Sequence, residues 1–228
     1  MDIFNNHQNS NIMKKTLTIL MVTIYLTSLS IASFAQDLNE KLVDAIREKN
    51  KESIKELLVK GAEINQVSEV GFTPLILAVW GKDMGVVKLL IENGADVNQS
   101  VKRFGSAMVG AADAGSIEIV KFLIDKKVDL SVQDQDGRNA LMSAIYSSHP
   151  DAAKLLIDAG ADVNQKGPSD WTALMFAAMR GDVESTKNLL NAKAEVNPKT
   201  TDGETPLQRA TELKHQEIIE ILKKAGGK

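Results

Sequence analysis

Leucine or methionine recurs every 33 positions along most of this chain, at Leu42, Leu75, Met108, Leu141, Leu174 and Leu207. Three places after each stands an alanine: Ala45, Ala78, Ala111, Ala144, Ala177 and Ala210. A spacing of three keeps both side chains on one helical face, and the small alanine lets a neighbouring helix come close. A second apolar set follows in each copy, as Val86-Val87 with Leu89-Leu90-Ile91, and returns in Ile119–Ile124, Ala152–Ile157, Thr186–Leu190 and Ile218–Leu222. The pattern predicts two short helices per unit, with a break near Gly81. Polar punctuation keeps the same register. Thr73, Ser106, Asn139, Thr172 and Thr205 stand where a helix N-cap is needed, and Pro74 and Pro206 take the first helical position, where a missing N–H is harmless. Gly94 falls just past the second helix, suited to a left-handed C-terminal cap. Turn formers such as Asp136-Gly137 and Asp202-Gly203 then predict a hairpin finger between units. One such helix pair cannot bury its own apolar face, so the copies must stack into a solenoid with a continuous core.

The residues at these places run Thr73-Pro74-Leu75, then Val86-Val87 and Leu89-Leu90, then Gly94-Ala95-Asp96-Val97-Asn98, with Thr205-Pro206-Leu207 and Gly160-Ala161-Asp162-Val163-Asn164 repeating parts of it. This resembles the ankyrin repeat over about residues 37–228, in copies near 37–69, 70–102, 103–135, 136–168, 169–201 and 202–228. The resemblance implies an all-α solenoid of helix-turn-helix units with β-hairpin fingers, about six repeats including two caps, and a binding scaffold without catalysis of its own. Some copies depart from the pattern. Phe104 and Asp170 replace the finger glycine of Gly71, Gly137 and Gly203, and Lys127 and Lys193 replace the glycine that ends the second helix. The first copy lacks Thr-Pro-Leu and the last carries Gln216, Glu217, Glu220, Lys223 and Lys224 in its second helix, as polar ends require for solubility.

Residues 1–35 lie outside the repeat. Lys14-Lys15 precede an uncharged stretch from Thr16 to Gln36, whose apolar core is Leu17–Leu26 and which reaches Ser33-Phe34-Ala35. Basic start, short apolar middle and small residues before the cut read as a secretory signal cleaved after Ala35. The alternative is an uncleaved anchor, since the stretch from Leu17 to Ala35 could just span a bilayer. Met13-Lys14-Lys15 also reads as a natural start, in which case residues 1–12 are not translated. With no cysteine in the chain, a lipid anchor on cysteine and a disulfide are both excluded. The expected location is therefore a bacterial periplasm or the cell exterior.

Among 228 residues the formal charge of −3 is small and mixed in sign, which argues against an electrostatic grip on nucleic acid. No phosphate-cradling glycine loop, HExxH or GxSxG stretch occurs. His149 and His215 occupy equivalent places opening second helices and have no second ligand nearby in sequence, so no metal site, cofactor or catalytic residue is expected. Asp134 and Asp136 read as turn formers. The informative residues are aromatic. Phe122 and Phe176 fall at core positions, whereas Phe72, Phe104 and Trp171 belong to fingers, and Trp80 and Tyr146 share one place near the end of the first helix. Trp and Tyr are favoured interface anchors; the competing reading is that the rings merely stiffen the stack. Lys102, Arg103, Arg138, Met179 and Arg180 hold equivalent variable places. The expected partner is a protein, bound by a monomer on the finger and inner-helix face, with no membrane contact after cleavage. The alternatives are a protective or structural accessory to an exported enzyme and an effector acting in a host.

Overall fold

The computed structural model describes the backbone of residues 2–228 and the side chains of residues 18, 20–25, 27 and 33–228. The proposed start at Met13 and part of the leader's apolar core lie outside the described side chains. Helix α1 spans Asp2–Arg47, and its last turns serve as the first helix of the first copy, packed on α2 (Lys51–Val59). The later copies pair α3 (Pro74–Trp80) with α4 (Met84–Glu92), α5 (Ala107–Asp113) with α6 (Ile117–Asp125), α7 (Ala140–Tyr146) with α8 (Pro150–Asp158), α9 (Ala173–Arg180) with α10 (Val183–Asn191), and α11 (Pro206–Glu212) with α12 (Gln216–Lys224). First helices pack in one row, α1–α3–α5–α7–α9–α11, and second helices in another. The first row is enclosed on nearly every side: Ala107 through Ala112, Ala140 through Ile145 and Ala173 through Ala178 are all buried. Alanine at the repeated position (Ala78, Ala111, Ala144, Ala177, Ala210) is what permits that enclosure, because a longer side chain there would hold the rows apart.

Three backbone positions per copy carry the turns. The residue between the two helices is left-handed in all six copies: Lys49, Lys82, Gly115, Ser148, Gly181 and Lys214. So is the residue ending the second helix, at Gly61, Gly94, Lys127, Gly160, Lys193 and Gly226, which shows the two lysines accepting the conformation of the glycines they replace. The fingers use Gly71, Gly105, Gly137, the Ser169-Asp170 pair and Gly203. In the third copy the expected finger position, Phe104, is therefore passed over and the following glycine makes the turn.

Four N-caps form as the pattern requires, with side-chain oxygens of Thr73, Ser106, Asn139 and Thr205 accepting from the N–H three residues on. Thr172 does not. Its hydroxyl is buried without a partner, and the Met175 N–H turns to the Thr172 carbonyl instead at 3.0 Å. The fingers carry little strand pairing. Among the described residues only the finger between β1 (Ser100–Val101) and β2 (Gly105–Ser106) has a ladder, antiparallel with Val101 opposite Gly105. The other fingers are tight turns closed by a single backbone bond across their mouths, such as Ser68 to Phe72, Asp134 to Arg138 and Thr200 to Glu204. Phe122 is another correction: it is half-buried rather than core, covered by the ammonium groups of Lys88 and Lys126 at 5.7 and 5.3 Å from the ring centroid.

Adjacent copies are also tied by asparagine. Asn65, Asn98, Asn164 and Asn197 each offer a side-chain oxygen to a backbone N–H of the next copy, at Asp96, Asp129, Glu195 and Lys228. The fifth place holds Ser131, whose shorter hydroxyl turns back to Asp129 at 2.6 Å, so one rung is missing in mid-stack.

Candidate interaction groove

The ends of the first helices and the tips of the fingers face one another along one side of the stack. Trp80 ends α3 and Tyr146 ends α7, two copies further on, and both remain open to solvent, at 44% and 41%. Trp80 stands edge-on to Phe72 and Phe104, with ring centroids 6.1 and 5.9 Å away, while those two finger rings stack on each other at 3.9 Å. The finger phenylalanines thus do what the stiffening reading requires, and together they seat the indole. Gly110 on α5 completes the seat. A Cβ there would lie 2.9 Å from Trp80 Nε1, so only glycine leaves room for the ring in this position.

Two copies along, Tyr146 meets Phe176 edge-on at 6.0 Å, and Phe176 in turn meets Trp171 at 5.0 Å. The guanidinium groups of Arg138 and Arg180 lie 4.7 and 5.7 Å from the Tyr146 ring centroid, and Arg209 lies 5.3 Å from that of Trp171. Arg138 is largely covered and pairs with Asp136 at 2.8 Å and Asp134 at 3.4 Å. Arg180 is exposed and donates to the Ser148 hydroxyl at 2.9 Å. Arg103 lies over Phe104 at 5.1 Å, with Lys102 exposed beside it on the same fingertip. Met179 is half-buried, and its carbonyl lies 3.2 Å from a ring nitrogen of His215. Eight of the ten residues singled out by sequence make ring contacts in one of two aromatic clusters, around Trp80 and around Tyr146, while Lys102 and Met179 adjoin them in the chain.

Between the clusters lies a hollow of about 240 Å³ walled by Trp80, Phe104, Arg103 and Arg138 and floored by Gly110 and Ser143. Three carboxylates also line it, Asp113, Asp134 and Asp136. Asp134 has the turn role read from sequence, since its Oδ1 accepts from the backbone of Asp136 and Arg138, each at 2.9 Å. Asp113, Gly110 and Ser143 were not anticipated. The signal was available: Asp113 stands 33 residues after Trp80 and 33 before Tyr146, at the same helix end. A larger hollow of about 370 Å³ lies at the N-terminal end, but Ala35 and Gln36 form part of its wall, so cleavage after Ala35 would open it.

Among the described residues no group of three acidic, histidine or cysteine side chains gathers as a metal site would. Away from the groove, the Ser131 hydroxyl and then its backbone N–H hold the Asp129 carboxyl below its ordinary value. Among the described residues no helix is long and apolar enough to cross a membrane.

No curated protein matches the chain. A family model described as ankyrin repeats (3 copies) does, over residues 3–101, 42–134, 86–167 and 159–228. With overlapping matches along nearly the whole length, six copies of one helix pair and their fingers in register, this chain belongs to the ankyrin-repeat family.

Proposed function

We infer a binding role, because ankyrin repeats generally mediate protein–protein interaction and are typically without catalysis. We propose that this chain is a non-catalytic scaffold, periplasmic or secreted, that holds a protein partner on its finger and first-helix side as a monomer, without nucleic acid. One observation carries the choice of face. Trp80 and Tyr146, large rings at equivalent helix ends, stay more than two-fifths exposed although both are fixed by ring or guanidinium contacts. Such rings lose little freedom on binding, so most of the gain from covering them becomes affinity.

The leader reading rests on where burial begins. Upstream of the proposed cut, Leu20, Met21, Val22, Ile24, Tyr25 and Phe34 are exposed at 50–65%, while the first buried residue among the described side chains is Leu38. Uncovered apolar surface of this kind needs removal or a lipid environment, and cutting after Ala35 takes away none of the buried side chains from Leu38 onward. An accessory tethered to the membrane by an uncleaved leader is the second reading. Fractionation with N-terminal sequencing separates them: a soluble chain starting at Gln36 supports export with cleavage, and an intact leader in the membrane fraction supports the tether.

The groove is tested by crosslinked capture of the native partner. Replacing Trp80 and Tyr146 together by Ala should leave the helical signal intact and weaken capture at least tenfold, about 1.4 kcal/mol or more. Capture that survives the double substitution assigns binding to another face.

A further inference from the structure

We propose that the hollow between Trp80 and Arg138 is a socket for one basic side chain, an arginine or lysine projecting from the protein partner. This deepens the scaffold reading and rests on it. The charges are unbalanced in a definite way. Arg138 is shared between Asp134 and Asp136, so one cation serves two carboxylates, and Asp134 is held with its side chain only 10% exposed. Asp113 meets no Lys or Arg within ion-pair distance among the described residues; its only hydrogen-bond partner there is the Ser147 hydroxyl, 2.6 Å from Oδ1. Its second oxygen is left for an incoming donor.

The walls select the kind of cation. Trp80 and Phe104 supply ring surface on one side, and a cation near an indole face is attracted by the ring's quadrupole. Arg103 also lines the hollow, lying over Phe104, which leaves two guanidinium groups against the three carboxylates there. The floor adds a polar group: Ser143 is 1% exposed as a residue, borders the hollow, and its hydroxyl makes no side-chain hydrogen bond among the described residues. The hydroxyl can accept from, or donate to, a group that enters the hollow. A volume of about 240 Å³ accommodates one long side chain rather than a peptide backbone. The carboxylates do not gather closely enough for a metal ion, whereas a planar guanidinium with five donors can reach separated acceptors.

The Tyr146 cluster has the opposite character. There the ring is covered by two guanidinium groups, and Arg180 has no carboxylate within ion-pair distance among the described residues. A partner segment with a basic residue toward Trp80 and an acidic one toward Arg180 would match both halves.

The test is a titration of the full chain with Ac-Gly-Arg-Gly-NH2, followed by the indole N–H resonances. The sequence has two tryptophans, so Trp171 is an internal control. The expected result is a saturable shift of the Trp80 indole signal with Trp171 unmoved. The citrulline analogue, which keeps the shape without the charge, should produce at most one-fifth of the affinity, as should Ac-Gly-Glu-Gly-NH2. Asp113→Asn, nearly isosteric, should reduce the arginine affinity at least fivefold while leaving the Trp171 signal and the helical spectrum unchanged. No saturable shift, equal response to citrulline, or undiminished binding by Asp113→Asn each overturns the socket. Equal affinity for tetramethylammonium, which has charge but no N–H, also overturns it, by showing a site for small organic cations. Because no partner is used, a failed titration beside a partner lost from the Trp80/Tyr146 double variant sinks the socket alone. A successful titration beside intact capture sinks the groove reading instead.

Discussion

Gly110→Ala separates the stability of the stack from the construction of its groove. Gly110 lies inside α5 with ordinary helical backbone, so alanine there should favour the helix by about 0.8–1.0 kcal/mol. Its methyl, however, would lie 2.9 Å from Trp80 Nε1 and 3.2 Å from Cδ1. Those atoms belong to a side chain that is 44% exposed and can swing outward, so backbone strain is not forced. Swinging out forfeits the edge contacts with Phe72 and Phe104, worth about 0.5–1.5 kcal/mol each. The two effects nearly offset, and net stability should fall by no more than about 2 kcal/mol. The groove should change far more. In a Trp171→Phe background, Trp80 emission should move to longer wavelength, and the ring-current shifts from Phe72 and Phe104 should disappear from its indole resonance. Chemical denaturation followed by circular dichroism gives the stability, and emission gives the ring position. A variant with unchanged emission and indole shift would refute the claim that glycine at this place is what seats the tryptophan. A loss well above 2 kcal/mol would refute the claim that the ring can move freely.

Two further substitutions probe the ties between copies. Ser131→Asn should restore the missing rung by placing a side-chain oxygen near the Asp162 N–H, as Asn98 does for Asp129 at 2.9 Å; the expected gain is about 0.5–1 kcal/mol in denaturant, and an unchanged or lower midpoint refutes it. Gly115→Ala should be destabilising by about 2–4 kcal/mol, since its Cβ would meet His149 Nδ1 at 2.4 Å on a backbone with φ of +63°. In a His149→Ser background the same change should lose at least 1 kcal/mol of that penalty, and additive effects of the two substitutions would refute direct contact.

Most of the fold was legible because each copy is specified locally. Caps, alanines and helix-ending glycines act within a single helix pair, and stacking then follows from apolar faces that have nowhere else to go. Thr172 escaped because its failure comes from the irregular Pro168–Asp170 turn before it, which the capping pattern does not register. The Gly115 and Gly181 turns show a deeper limit. Lys49, Lys82, Ser148 and Lys214 adopt the same left-handed conformation, so conformation alone does not require glycine there. What requires it is the next copy: His149 packs over Gly115 and His215 over Gly181, 34 residues on in each case, whereas Asp83, Ser116 and Asp182 stand at that place after the non-glycine turns. A choice at one place in a copy is thus fixed by a choice in its neighbour. The groove obeys the same rule. Trp80 is seated by Gly110 of the following copy and by a ring from each of two fingers. Reading each copy against the shared pattern isolates Trp80 and Tyr146 as departures. It does not reveal that Asp113, at the same helix end between them, leaves a carboxylate facing the space they frame. Surface chemistry in such a stack belongs to pairs of adjacent copies, and its recognition properties have to be read across the joint.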